Sequence, residues 1–178
     1  MQLTAILNNN TSIFDFDPNI QEKETQQDKL GIYTFRVTST EFQNTRAELK
    51  EWLTIIKKIP VISKAHSLQL DELRYIVRDM RKELYEMQHI GAGSEYTRAV
   101  YVARDTHFPY RMYGVAITIS KQATKIISLL ATHPEKWGNG VGKAVMVHLC
   151  DDALRRENKT SMSLISAAQA VGFYKKLG

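Results

Sequence analysis

Three alternate glycines, Gly138, Gly140 and Gly142, stand in HPEKWGNGVGKAVMVHL, the stretch from His133 to Leu149, and open an apolar run. A glycine turn leading into a helix presents unpaired N–H groups at the positive end of the helix dipole, which favours an anion without any metal. Glycine also lacks the Cβ that would keep a phosphate oxygen off the backbone. Counting excludes two common phosphate loops. The dinucleotide fingerprint G-x-G-x-x-G needs a third glycine, but that place is Lys143 counted from Gly138 and Val145 counted from Gly140. The triphosphate loop G-x-x-x-x-G-K-[ST] finds its Gly-Lys pair in Gly142–Lys143, yet Trp137 replaces its first glycine and Ala144 the hydroxyl that would meet magnesium. A phosphate cradle without a magnesium ligand is what remains.

The elements around the turn must hold it. TKIISLLAT (124–132) leads into it as an apolar strand, and Val141, Val145, Leu149 and Ala153, four apart, predict a helix reaching about Arg156. Upstream, GIYTFRV (31–37), TRAVYVARD (97–105) and RMYGVAITIS (111–120) read as strands, the last two joining 124–132 as consecutive antiparallel neighbours. Thr40 with Gln43 matches a capping box, followed by Phe42, Leu49, Trp52, Leu53 and Ile56 at helical spacing up to Pro60. Leu73, Ile76, Val77, Met80, Leu84 and Met87 predict a second amphipathic helix over about 70–88. TSMSLIS (160–166) and AAQAVGFYKKL (167–177) add a short strand and a last helix. The order predicts an α/β (α+β) domain over 29–178 around one sheet, after an irregular lead-in at 1–28.

Two stretches carry a resemblance to a known family. HPEKWGNGVGKAVM resembles the pyrophosphate loop Q/R-x-x-G-x-G/A of the GCN5-related N-acetyltransferases (GNAT), with Trp137 at the Q/R place and Gly140 and Gly142 at the two small ones. AVGFYKKLG (170–178) resembles the family's A-x-x-F-Y-x-K-x-G-F stretch. The resemblance implies a mixed, mostly antiparallel sheet flanked by helices, with the family's last two strands missing after Gly178. It implies acetyl-CoA as cofactor, held by Leu130, Ala131 and Thr132 along its pantetheine arm and by Trp137, Gly138, Asn139, Gly140, Val141, Gly142 and Lys143 around its pyrophosphate. Trp137 departs from the pattern, with only its indole N–H left as a donor. Ala167 departs as well, standing where the family often has Asn.

The reaction so implied is direct attack of a primary amine on the thioester in a ternary complex. Family members with a base on the strand before the loop place it where this chain has Ile126 or Ser128. Ile126 accepts no proton, Ser128 offers one link of a water chain, and His133 has a suitable intrinsic pKa near ~6.5. Tyr174 stands at the family position whose hydroxyl protonates the leaving thiolate, and it also borders the cofactor. The acceptor is a small amine, a protein amine or aminoacyl-tRNA. The alternative is an acyl-CoA-binding or interaction protein of the same fold without turnover, and a nucleic-acid module is a third reading.

Composition narrows the setting. The chain has 178 residues, a formal net charge of +5 and one cysteine, Cys150, inside the apolar run after the glycines. The charge favours anionic partners, and the lone cysteine reads as a packed small residue. His66, His89, His107 and His148 lack H-x-x-x-H spacing, so no metal is expected. No apolar stretch approaches the ~20 residues of a membrane helix and no signal peptide opens the chain, which fits the cytoplasm. An open sheet edge at the end of the chain would favour a homodimer.

Overall fold

The computed structural model describes residues 2–3, 31–89, 97–108, 111–159 and 161–164. Among the described residues six strands form one sheet: β1 (Gln2–Leu3), β2 (Ile32–Arg36), β3 (Thr97–Asp105), β4 (Met112–Lys121), β5 (Thr124–Thr132) and β6 (Ser161–Leu164). Their order is β1-β6-β5-β4-β3-β2. The pairs β2/β3, β3/β4 and β4/β5 are antiparallel, whereas β6 lies parallel to both β5 and β1. Gln2–Leu3, within the lead-in, thus pairs with the outer edge of β6 at Ser161 and Met162. The final helix proposed from the sequence lies outside the described residues.

Helices cover both faces of the sheet. Along α1 (Phe42–Lys58) the residues Phe42, Thr45, Leu49, Trp52 and Ile56 are buried, and along α2 (Lys64–His89) Leu70, Leu73, Val77, Met80 and Leu84. These steps of three and four put one stripe of each helix against the sheet. Both pack on the face carrying Val100, Val102, Val115 and Ile117. The opposite face, with Tyr101, Ala103, Ala116 and Ile127, receives α3 (Val141–Arg155) through Val141, Val145, Met146 and Leu149. Cys150 is buried there, and burial pushes its thiol up to about 12, as befits a packing residue.

Two helix starts differ from the sequence reading. The cap before α1 is Thr38 with Glu41, not Thr40 with Gln43: the Thr38 N–H donates to Glu41 Oε2 at 2.8 Å, and a 3₁₀ turn at Ser39–Glu41 precedes the helix. A carboxylate makes the stronger, charge-assisted bond, so it wins over the Gln43 amide two residues on. Helix α2 begins at Lys64, well before Leu70, because the His66 N–H donates to Ser63 Oγ at 3.1 Å and so supports a polar first turn.

Candidate functional site

Strand β5 is flanked unequally. Its first half, Thr124–Ile127, pairs with Ser161–Leu164 of β6. Among the described residues no strand pairs with Ser128–Thr132 on that side, while β4 continues alongside through Gly114. The His133 N–H donates to the Tyr113 carbonyl at 2.8 Å, which fixes the phase of the β4/β5 ladder. Antiparallel pairs alternate, so Ala131 and Leu129 direct their backbone groups at β4, and Leu130 and Thr132 direct theirs at the β6 side. Of the three residues proposed along the arm, Leu130 and Thr132 therefore carry outward backbone donors. Ala131 is a buried ladder residue.

The chain then turns sharply into α3. Gly138 and Gly140 take φ of +78° and +81°, left-handed values that any Cβ would strain. A Cβ built on Gly138 meets nothing within 4 Å, so the space above this turn is open. Ala144 is the first residue to bond back into the helix, its N–H donating to the Gly140 carbonyl at 3.0 Å. The N–H groups of Val141, Gly142 and Lys143 belong to the first turn, which an α-helix cannot satisfy from within. The Asn139 N–H is spent on the Lys136 carbonyl at 3.2 Å. The backbone donors around Gly138 to Lys143 are thus Gly138, Gly140 and the first turn of α3, and Asn139 keeps its side-chain amide.

The proposed proton carriers are placed as follows. Ser128 is the extra residue of a bulge between Ile117 and Thr118 of β4, and its hydroxyl donates to the Ile117 carbonyl at 3.0 Å. The His133 ring is buried edge-on to Trp52 at 5.1 Å, and its Nδ1 accepts the Glu135 N–H at 3.3 Å as the cap of the 3₁₀ turn Pro134–Lys136. Burial, outweighing the attraction of Glu135, holds its imidazole below the ordinary histidine value. Tyr174 lies outside the described residues. The Trp137 indole N–H, expected from the sequence as a donor to the ligand, donates to the Thr132 carbonyl at 3.2 Å. Among the described residues no group of three or more His, Cys, Asp or Glu could hold a metal ion, and no described helix is long and apolar enough to cross a membrane.

Two features of the site went unread in the sequence. Gly114 of β4 is where α3 meets the sheet: a Cβ there would stand 3.0 Å from Val145 Cγ2, 3.1 Å from Val141 Cγ1 and 3.2 Å from the Ala103 Cβ. The glycine inside an apolar strand was the available sign of a close approach. Gly114→Ala is expected to cost about 1–3 kcal/mol by overpacking. Urea unfolding checks this, and an unchanged midpoint would show that α3 rides higher than described. The second feature is a buried charge cluster at the other end of β5. Lys125 Nζ donates to Tyr101 Oη at 2.6 Å, to Asp152 Oδ2 at 3.1 Å and to Glu157 Oε1 at 3.1 Å, while Tyr101 Oη donates to Asp152 Oδ2. It anchors the far end of α3.

A parallel strand pair at the start of β5, followed by a glycine turn onto a helix N-terminus, is the order of elements that the resemblance implies. Residues 96–178 match the family described as Acetyltransferase (GNAT) domain, so the resemblance read from the two motifs is shown. Among curated proteins none matches the chain in sequence. Solved structures share the fold at low identity. An aminoglycoside acetyltransferase from an uncultured soil metagenomic sample, in complex with trehalose, is 12% identical with a TM-score of 0.53, covering 85% of this chain and 89% of its own. A ribosomal-protein-alanine N-acetyltransferase from Brucella melitensis biovar Abortus 2308 is 11% identical with a TM-score of 0.53, covering 83% and 90%. A predicted acetyltransferase with acetyl-CoA from Clostridium acetobutylicum is 14% identical with a TM-score of 0.50, covering 83% and 88%.

Proposed function

We propose that this chain is an N-acetyltransferase that passes the acetyl group of acetyl-CoA to a primary amine within a ternary complex. The observation that carries the reading is one continuous run of donors: the outward backbone of Leu130 and Thr132, then the left-handed Gly138–Gly140 turn, then the first turn of α3. An extended amide-bearing arm that ends in a pyrophosphate fits that order of neutral and anion-binding groups. Leu130 would accept and donate along the arm, and Thr132 would donate. Gly138, Gly140, Val141, Gly142 and Lys143 would hold the phosphates. One of the outward N–H groups of β5 would also steady the acyl oxygen as negative charge grows on it.

When bound, acetyl-CoA would supply a thioester as the acyl donor to the amine nitrogen, with the CoA thiol as leaving group. Tyr174 would donate its hydroxyl proton to the departing sulfur, as the resemblance implies for that position. An amine with a pKa near ~10.4 is almost wholly charged at neutral pH, so deprotonation needs a base or a water relay. Ser128 and His133 are poorly placed for it: the Ser128 proton is spent on Ile117, and His133 caps a turn beneath Trp52. That commitment favours the second reading, an acyl-CoA binder without turnover.

The acceptor is an amine on a small molecule, a protein or an aminoacyl-tRNA. Solved relatives of the fold include proteins named for aminoglycosides and for a ribosomal-protein alanine. The deciding measurement is release of CoA from acetyl-CoA over such an amine panel. Turnover slowed roughly tenfold by Tyr174→Phe, a part of what general acids contribute, supports the enzyme. Acetyl-CoA binding with no release above background supports the binder.

A further inference from the structure

We infer that Trp137 is a strut that sets the phosphate turn before any ligand arrives, and so replaces the ligand contact that a Gln or Arg side chain would make at its position. The inference rests on the acetyl-CoA reading for its consequence in binding, but not for its geometry. The indole N–H donates to the carbonyl of Thr132, the last residue of β5, at 3.2 Å. That carbonyl faces the β6 side with the other outward groups, so the bond is made across the edge the ligand would use. Backbone bonds close the same segment: the Lys136 N–H donates to the His133 carbonyl at 2.9 Å, and the Trp137 N–H to the Pro134 carbonyl at 3.1 Å. Residues 132–137 are thereby tied at both ends, and Gly138 starts from a fixed point.

The ring is held as well. It packs half-buried against the core beneath α1 and α2, edge-on to His66 at 6.3 Å. His66 is itself fixed, because its Nδ1 accepts the Ile62 N–H at 3.4 Å and its N–H donates to Ser63 Oγ. One side chain therefore joins the end of β5, the phosphate turn and the first turn of α2. Gly138 and Gly140 are the most permissive residues of the segment, and ordering such residues is what a ligand would otherwise have to do. With the Thr132 carbonyl taken, Thr132 offers a ligand only its N–H, and Leu130 is left as the outward acceptor.

Trp137→Phe keeps the ring and removes the N–H, and Trp137→Gln restores the family's ligand-contacting residue. Amide hydrogen exchange on the ligand-free protein reads the strut directly. Exchange at the hydrogen-bonded amides of Lys136, Trp137 and Asn139 should quicken about threefold to tenfold in Trp137→Phe, the worth of one hydrogen bond, with β3 unchanged. Calorimetric titration of CoA should show a loss of similar size in Trp137→Phe, and no gain over the wild type in Trp137→Gln. Unchanged exchange in Trp137→Phe, or tighter CoA binding by Trp137→Gln, overturns the strut. A wild-type protein that fails to bind CoA at all sinks the proposed function instead, and the exchange result still decides the role of Trp137.

Discussion

Replacing Gly140 by aspartate is expected to weaken acetyl-CoA binding by about 10²–10³-fold while leaving the fold standing. Gly140 is the N-cap of α3 at φ +81° and ψ 1°. Aspartate tolerates the left-handed region better than most residues, and at an N-cap it favours the helix dipole. The variant should lose about 1–2 kcal/mol to the left-handed strain of its Cβ, a loss that urea unfolding measures apart from the binding effect. The new carboxylate would instead stand where, on the proposed reading, the first turn of α3 would hold an anion. Two unit charges about 4 Å apart near a protein surface repel by about 4 kcal/mol, enough for the stated loss. Gly140→Asn keeps the shape without the charge and should lose far less. Calorimetry on the three proteins, with urea unfolding beside it, measures both quantities. Equal affinity of the wild type and Gly140→Asp would remove the anion from this turn.

The parts of this design that were legible in the sequence are those with local causes. β3 and β5 match the runs at 97–105 and 124–132 residue for residue; the centre of β3, Ala99 to Ala103, is buried on both faces and reads as continuous apolar sequence, whereas β5 is only partly buried and is marked off by the turns at its ends. The left-handed glycines were legible because few other residues suit such a turn. What was missed depends on contacts distant in the chain. The destination of the Trp137 N–H requires knowing that residue 137 folds back over residue 132. Lys125 stands in an otherwise apolar strand, and nothing nearby in sequence shows that Asp152 and Glu157 reach it from the end of α3. Ser128 was open between a water relay and a structural bond until the bulge at Ile117 gave its proton an acceptor.

Removing the charge of Lys125 is the largest stability effect expected in the molecule: Lys125→Met should cost about 3–5 kcal/mol at neutral pH. The lysine is fully buried and faces two carboxylates, with Asp152 itself 4% exposed. Methionine fills most of the volume, so the cost comes from taking the buried cation from those carboxylates, which keep only the more exposed Arg36 and Arg156, rather than from a cavity. The sign of the pH dependence tests this. In the wild type, burial pushes the Asp152 carboxyl up, but the Tyr101 and Lys125 hydrogen bonds and the Lys125 charge outweigh it and hold it below the ordinary carboxylate value. A depressed carboxyl contributes stability that is complete above its unfolded value near ~3.9 and is lost as pH falls through the folded one. In Lys125→Met, burial acts on Asp152 with only the Tyr101 bond and the outlying Arg156 against it, so its carboxyl rises and the variant gains relative stability as it takes up a proton. The gap between the two proteins should accordingly be widest near pH 7 and shrink towards pH 5, read from urea midpoints across that range. A gap that is constant with pH, or below about 1 kcal/mol, the net worth of one ordinary hydrogen bond, would mean that Lys125 fills space and does not balance charge. The same cluster fixes the far end of α3 to the first residues of β5, as Gly114 and Trp137 fix the near end. Helix and phosphate turn are therefore set by the sheet at both ends.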